Sequence, residues 1–409
     1  MVTLVRARNV VTLDGPTLEN GAVAIAGNRI SAVGPWTDLR SHGAAEVIDL
    51  GEVVLLPGLI NSHCHLDFTV LSARIAPQPS FADWIRQIIS ARNDLALEDY
   101  LASISAGILE ARRWGTTSIA NIESLPVVLS RLPRPPLRIW WFAELINLQS
   151  RCASETLIEN AISLFQGKSD WLGGFGLSPH APYTVSPELL RNAVAAAQRD
   201  HLRLTMHLAE SGEEMEMFRD GRGRLFDFLQ GLGRPMEDCQ MKKTPLAIVL
   251  DHTTLDERWI IVHLNELTED DFGRLEQGPR FHIAHCPRSA RYFQHRPFAL
   301  RRLLDLRFNI CLGTDSLASN SSLSLFAEMR GLQRGYSWLE PRKILEMVTV
   351  NAARALGQEA SIGRIRPGFH ADLIAVPLEH GKELYQRIIA FDQEVAWMML
   401  DGQVCLKQS

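Results

Sequence analysis

The chain predicts an α/β protein: a (β/α)8 TIM barrel over residues 57–358, with a small β-sandwich built from both chain ends, residues 1–56 and 359–409. Three observations predict this. From Val53 onward, eight short apolar runs alternate with amphipathic helical stretches over ~300 residues, the repeat of a βα barrel. Both ends of the chain read instead as short alternating strands between turn residues. Histidines and one aspartate stand where several central runs stop, at the strand ends where barrels assemble their sites.

The elements follow in order. Residues 3–7, 21–25, 29–33 and 45–50 alternate as strands, divided by Asp14-Gly15-Pro16 and Gly27-Asn28. The apolar run Val53-Val54-Leu55-Leu56 opens the barrel count and, past the turn Pro57-Gly58, leads to His63-Cys64-His65. Residues 100–114 carry an apolar helical stripe, and 115–120 form the strand after it. The loop Pro133-Arg134-Pro135-Pro136 introduces a strand at 137–144. A helix at 154–166 precedes a strand at 172–178. The helix at 186–200 starts with a capping Ser186 and Pro187 in its first turn, and a strand at 202–207 follows. Residues 211–243 are charged and punctuated by glycine, which predicts a helical insertion over the barrel mouth. Strands at 260–263, 280–284 and 309–312 complete the barrel. At the C-terminus, strands at 371–376 and 395–400 lead through the hairpin turn Asp401-Gly402 into 403–406.

Composition excludes some functions. The 409 residues carry a net charge of −5, with 46% hydrophobic and 22% charged residues, so no electrostatic case exists for nucleic acid or an anionic membrane. No apolar run is long enough to span a bilayer, and the N-terminus shows no signal-peptide pattern. The six cysteines are scattered without a CxxC pair, which predicts reduced thiols in a cytoplasmic protein. Cys64 and Cys286 read as packing residues.

His63-Cys64-His65 carries the chemistry. Two histidines one residue apart on a strand point to the same side and can hold one metal ion. His207, His263 and Asp315 end later apolar runs. A mixed nitrogen and oxygen donor set suits Zn²⁺, with iron as the second choice.

The stretches Pro57-Gly58-Leu59-Ile60-Asn61-Ser62-His63-Cys64-His65, Met206-His207-Leu208-Ala209-Glu210, Val262-His263-Leu264 and Leu312-Gly313-Thr314-Asp315-Ser316 stand in an order that resembles the amidohydrolase superfamily. The resemblance is to its branch that deaminates nucleosides and bases or dechlorinates triazines. Residues 351–357 and 363–373 extend it, so it covers nearly the whole chain. It implies that His63, His65, His207 and Asp315 hold one metal and that His263 steadies the attacking hydroxide. Asp315 would also take the water proton, and Glu210 would protonate a ring nitrogen of the substrate. Two-metal members use a bridging lysine; here the only lysine between His65 and His207 is Lys168, in a loop-like stretch, so one metal is expected.

The resemblance also implies that His180, in Ser178-Pro179-His180-Ala181-Pro182, faces the substrate. From the residues themselves, Trp84 can stack on a heterocycle, Glu144 ends a strand near the site, and Arg288 can meet an anionic tail. Glu213, Glu214 and Glu216 read as a solvated helix face, as do Arg296, Arg301, Arg302 and Arg307. Phe81-Ala82-Asp83-Trp84-Ile85 and His207-Leu208-Ala209-Glu210-Ser211 look similar to aminofutalosine and adenosine-type deaminases. That implies a 6-aminopurine nucleoside substrate: aminodeoxyfutalosine of the menaquinone futalosine pathway first, then S-adenosylhomocysteine, methylthioadenosine or deoxyadenosine. The alternatives are a guanine-type or triazine aminohydrolase or chlorohydrolase and, in another class, a non-catalytic barrel serving as a binding subunit. The retained ligands and acid speak against the last. A homodimer is the family expectation.

Overall fold

The computed structural model describes residues 2–41, 43–148, 153–240, 242–377 and 383–407; Cys152 lies outside them. Two compact units emerge, one formed by Met1–Ser62, Leu109–Ile119 and Ser324–Ser409, the other by His63–Ile108 and Ala120–Leu323.

The first unit holds an eight-stranded sheet drawn from both ends of the chain. Val2–Val10 pairs antiparallel with Leu18–Ala26, which pairs with Arg29–Pro35. Leu373–Pro377 pairs with Val53–Pro57 on one side and Trp397–Leu400 on the other, and Gln403–Lys407 closes the C-terminal hairpin. Alternation sorts the side chains by face. Val5, Val23, Ile25, Leu55, Leu373 and Trp397 bury on one face, while Leu4, Ala22 and Ala24 meet Leu39 on the other.

One expectation is corrected here. Val53–Pro57 does not open the barrel-like sheet; it pairs with Leu373–Pro377 and with Val2–Val10. The strand that carries the histidines is a separate one, Leu59–His65. Both runs are apolar, and only their pairing partners tell them apart.

The second sheet has nine strands in the order Asn309–Leu312, His282–His285, Trp259–His263, Arg203–Leu208, Gly173–Pro179, Arg138–Leu145, Thr116–Glu123, Leu59–His65 and Asp315–Ser316. The resolved pairings are parallel, for example His207 opposite Val262 and Leu208 opposite His263. Every residue of Leu59–His65, Thr116–Glu123 and Trp259–His263 is buried, the pattern of a parallel sheet covered on both faces. The two strands at the ends of this order are consecutive in the chain, with only Gly313-Thr314 between them. Residues 309–316 therefore pair with His282–His285 at one edge and with Leu59–His65 at the other.

Local chemistry sets the helix starts. Ser186 accepts a hydrogen bond from the Leu189 N–H with Pro187 in the first turn, as read from the sequence. Thr268 and Asp271 form a reciprocal capping box. The predicted insertion folds as Gly212–Asp220, Arg224–Gly231 and the short Glu237–Gln240 turn. Met217, Phe218, Leu225 and Leu229 bury together with Phe81 and Tyr183, which holds the insertion against the loop after Leu59–His65. Among the described residues, no helix is long and apolar enough to cross a membrane.

Candidate active site

His63, His65 and His207 come together from two strand ends, with one donor atom from each within 4.8 Å of the others. His65 Nε2 and His207 Nε2 are 3.2 Å apart. Asp315 brings Oδ1 to 3.5 Å from His63 Nε2 and 3.9 Å from His65 Nε2. The carbonyl of His180 faces His207 Nδ1 at 3.1 Å. A carbonyl only accepts, so Nδ1 carries the proton and the Nε2 lone pair faces the cluster. Asp315 is oriented as firmly: Oδ2 accepts from Ser289 Oγ at 2.5 Å and Ser319 Oγ at 3.1 Å, and Oδ1 accepts from the Ser316 N–H at 2.8 Å.

Electrostatics match a cation-binding set. Burial, with His63 nearby, lowers His65 to about 3, and burial drives His207 well below the ordinary histidine value. Both are therefore neutral imidazoles, the ligand form. Burial opposes charge on Asp315, yet the hydrogen bond from His63 holds it well below the usual carboxylate range. Three imidazole nitrogens and one carboxylate oxygen, converging in a buried space, fit a divalent metal such as zinc. Lys168 is elsewhere, its ammonium 4.4 Å over the Trp171 ring.

Glu210 stands beside this cluster, buried, with Oε1 3.5 Å from His263 Nε2. Burial raises its pKa well above the ordinary value, and the Asp315 charge adds to that, which favours the protonated carboxyl. Its backbone is fixed from two sides. Glu214 accepts from the Ala209 and Glu210 N–H groups at 3.1 and 2.7 Å, and Asn265 Nδ2 donates to the Glu210 carbonyl at 3.0 Å. Ala209, His263 and Asp315 all adopt positive φ (50°, 73° and 58°), a conformation that non-glycine residues hold only where the surroundings enforce it.

This corrects the reading of Glu214 as solvated. It is fully buried, and burial pushes it up to about 8 against the pull of the two N–H donors. Ser211 caps the helix by accepting from the Glu214 N–H. The Ser211-Gly212-Glu213-Glu214 spacing of a capping box was the available signal, but the glutamate reaches one and two residues further back than the cap. Glu213 also leaves solvent in part, accepting from the Phe81 and Ala82 N–H groups.

A cavity of about 230 Å³ opens onto the cluster. His65, His207, Glu210, His263 and Asp315 form its polar end. Trp84, Phe81, Ile88, Leu148 and Phe228 form an apolar wall, and His180, Glu144 and Arg92 also line it. The Thr184 hydroxyl donates to the Ala181 carbonyl and so accepts from His180 Nδ1 at 2.7 Å. His180 Nε2 is left as an acceptor, 3.9 Å from Glu144 Oε1. Burial raises Glu144 to about 7. Arg288 is not brought to the cavity: its guanidinium donates to Ser322 Oγ at 2.9 Å and to Ser321 Oγ. Sequence reasoning missed Arg92, Asn265, Ser289, Ser319 and His295, which reach the site from distant loops and helices.

The chain matches the profile of the amidohydrolase family over residues 54–405. It is 31% identical over 391 residues to a 5-methylthioadenosine/S-adenosylhomocysteine deaminase of Moorella thermoacetica, covering 92% of this chain and 85% of that protein. A deaminase of the same name from Syntrophobacter fumaroxidans is 31% identical over 385 residues, covering 90% and 82%. Among solved structures, an adenosine deaminase from Xanthomonas campestris with bound zinc superposes with a TM-score of 0.86 at 25% identity, covering 99% of this chain and 93% of that one. An aminofutalosine deaminase from Helicobacter pylori, in complex with methylthio-coformycin, shares the fold with a TM-score of 0.83 at 22% identity, covering 99% and 100%.

Proposed function

The chain belongs to the amidohydrolase family, and on that premise we propose that it is a metal-dependent hydrolase that releases ammonia from a 6-aminopurine nucleoside. One observation carries the reading: Glu210 is a buried carboxyl, its pKa raised by burial, that lines the cavity beside the three-histidine cluster. Hydrolysis of a simple amide needs no ring protonation, whereas removing an amino group from an aromatic ring requires protonation of the ring nitrogen.

His63, His65, His207 and Asp315 would hold one divalent metal, zinc by preference and iron as the alternative. When bound, it supplies a water whose pKa is lowered to about 7. Asp315 would accept a proton from the attacking water. His263 steadies the attacking oxygen. Glu210 places its proton on the ring nitrogen next to C6, which makes C6 electrophilic. Trp84 gives the purine a face to stack on, His180 offers an acceptor nitrogen, and Glu144 lies behind it. Arg288 has no part in this reading. The relatives' names favour a nucleoside extended at the 5′ position, so the candidates are 5-methylthioadenosine, S-adenosylhomocysteine and aminodeoxyfutalosine.

Two architectural readings go with it. The nine-stranded sheet is taken as a closed (β/α)8 barrel of residues 57–358, supported by the double pairing of residues 309–316. The sheet built from both chain ends is taken as a β-sandwich domain of residues 1–56 and 359–409, supported by burial on both its faces. The enzyme is assigned to the cytoplasm, in keeping with free cysteines among the described residues.

The test is ammonia release by the purified protein from a panel of those nucleosides, adenosine, deoxyadenosine, guanine and a triazine, with metal analysis alongside. Glu210→Gln is expected to keep the metal while kcat falls ~10²–10⁴-fold. Turnover unchanged in that variant would remove Glu210 from the mechanism.

A further inference from the structure

Glu210 has a second histidine beside it. His295 Nε2 lies 3.8 Å from Glu210 Oε1, and the His295 side chain is only 6% exposed. Phe293 stacks on its ring at 5.2 Å, and Phe81 meets it at 6.1 Å. No hydrogen bond holds Nε2. His295 does not line the substrate cavity. It lines a separate cavity of about 460 Å³, whose walls carry Glu213, Glu216, Glu266 and Arg296. Among the described residues, Phe81 alone lines both. Glu210 thus faces an apolar chamber that substrate would fill, and within reach of a single imidazole there is a polar one.

The proposed reaction gives this arrangement work to do. Water adds its oxygen to C6, the C6–N bond breaks, and neutral ammonia leaves. Below the pKa of ammonium, the released ammonia takes up one further proton from bulk water. The attacking water brings two protons. Asp315 passes the first to the departing amino group and takes the second from the C6 hydroxyl as the carbonyl forms, losing it to bulk water when product leaves. Glu210, which gave its proton to the ring nitrogen, therefore regains one from outside while product still blocks the apolar cavity. We propose that His295 relays protons between the polar cavity and Glu210. One ring nitrogen gives its proton to Glu210 Oε1 as the other takes a proton from water in the polar cavity; only N–H and O–H bonds change. Burial lowers His295 to about 4, so the ring is neutral in the working range and can both donate and accept. The charged groups that influence it besides Glu210 are Glu266, Asp315 and Glu213, with Arg296 3.4 Å from Glu266. His295 acts through Glu210 and is a positioning and relay residue.

This inference rests on the deaminase reading, and the experiment separates the two. His295→Ala and His295→Gln are assayed with saturating nucleoside and increasing imidazole. Both variants are expected to keep their metal and a KM within ~2-fold of wild type, while kcat falls at least ~10-fold. Imidazole should restore the alanine variant along a saturating curve and leave the glutamine variant unrestored, because the glutamine side chain occupies the space. Should the alanine variant fail to fold, the glutamine variant decides through a solvent deuterium isotope effect on kcat larger than that of wild type. Turnover at the wild-type level in both variants, a loss in alanine that imidazole does not repair, or an unchanged isotope effect in glutamine overturns the relay. Wild-type protein that releases no ammonia from any nucleoside overturns the deaminase reading instead.

Discussion

Glu214→Gln tests how Glu210 is held. In the native protein each oxygen of the buried Glu214 carboxyl group accepts one backbone N–H, from Ala209 at 3.1 Å and Glu210 at 2.7 Å. Glutamine has the same shape but one acceptor oxygen; its NH2 must face a donor. One hydrogen bond is lost and one buried N–H is orphaned, which together cost about 1–4 kcal/mol. Ala209 sits at φ 50°, so the loop has conformational reason to relax once the anchor weakens. A displacement of Glu210 of about 1 Å is enough to cost on the order of 10²-fold in rate. The expected variant therefore melts several degrees lower, binds metal as before and deaminates ~10–100-fold more slowly. Thermal melts, metal analysis and ammonia release read these three quantities. A glutamine variant with native melting temperature and native kcat would refute the argument that Glu214 positions the acid.

Glu144 gives a pH prediction. Burial raises it from 4.5 to about 7, so the folded state keeps a proton that the unfolded chain releases. Stability is then fully present below about 4.5 and declines as pH rises toward 7, by about 3 kcal/mol in all. Glutamine mimics the protonated form, so the stability gain of Glu144→Gln over wild type should grow between pH 4.5 and 7; a constant difference in unfolding measurements speaks against the shift. Gly313→Ala should destabilise by about 1–3 kcal/mol or more and reduce metal content, because a Cβ there would lie 2.7 Å from both the Cβ and the carbonyl oxygen of His63. Near-native melting and full metal loading in that variant would show that the strand junction yields. Chelation should lower the melting temperature and zinc should restore it, since a metal present at ~1,000 times its dissociation constant adds about 4 kcal/mol. A melt insensitive to chelator and zinc contradicts the donor set.

Much of this site was legible because its signals are local. His63 and His65 share a strand face through a period of two, and Glu210 follows His207 closely on the same loop. Strand and helix alternation, the Ser186 cap and the C-terminal hairpin are likewise decided within a few residues. Helix ends were less sharp: the predicted 100–114 helix starts at Leu97, and the 154–166 helix stops at Ser163.

Composition and spacing by themselves determined the α/β alternation and the shared strand face of His63 and His65; the expected donor set and the acid role of Glu210 rest on the resemblance to the amidohydrolase superfamily. Tertiary structure decided which sheet Val53–Pro57 joined, because two apolar runs of equal character differ only in their partners. It turned Glu214 inward to two amides and Arg288 outward to two serines. It also set His295 beside Glu210 across 85 residues of sequence. Short-range periodicity specifies which way a side chain leaves its own strand or helix. Which distant group it then meets depends on the closing of the whole sheet, and no window of neighbouring residues contains that information.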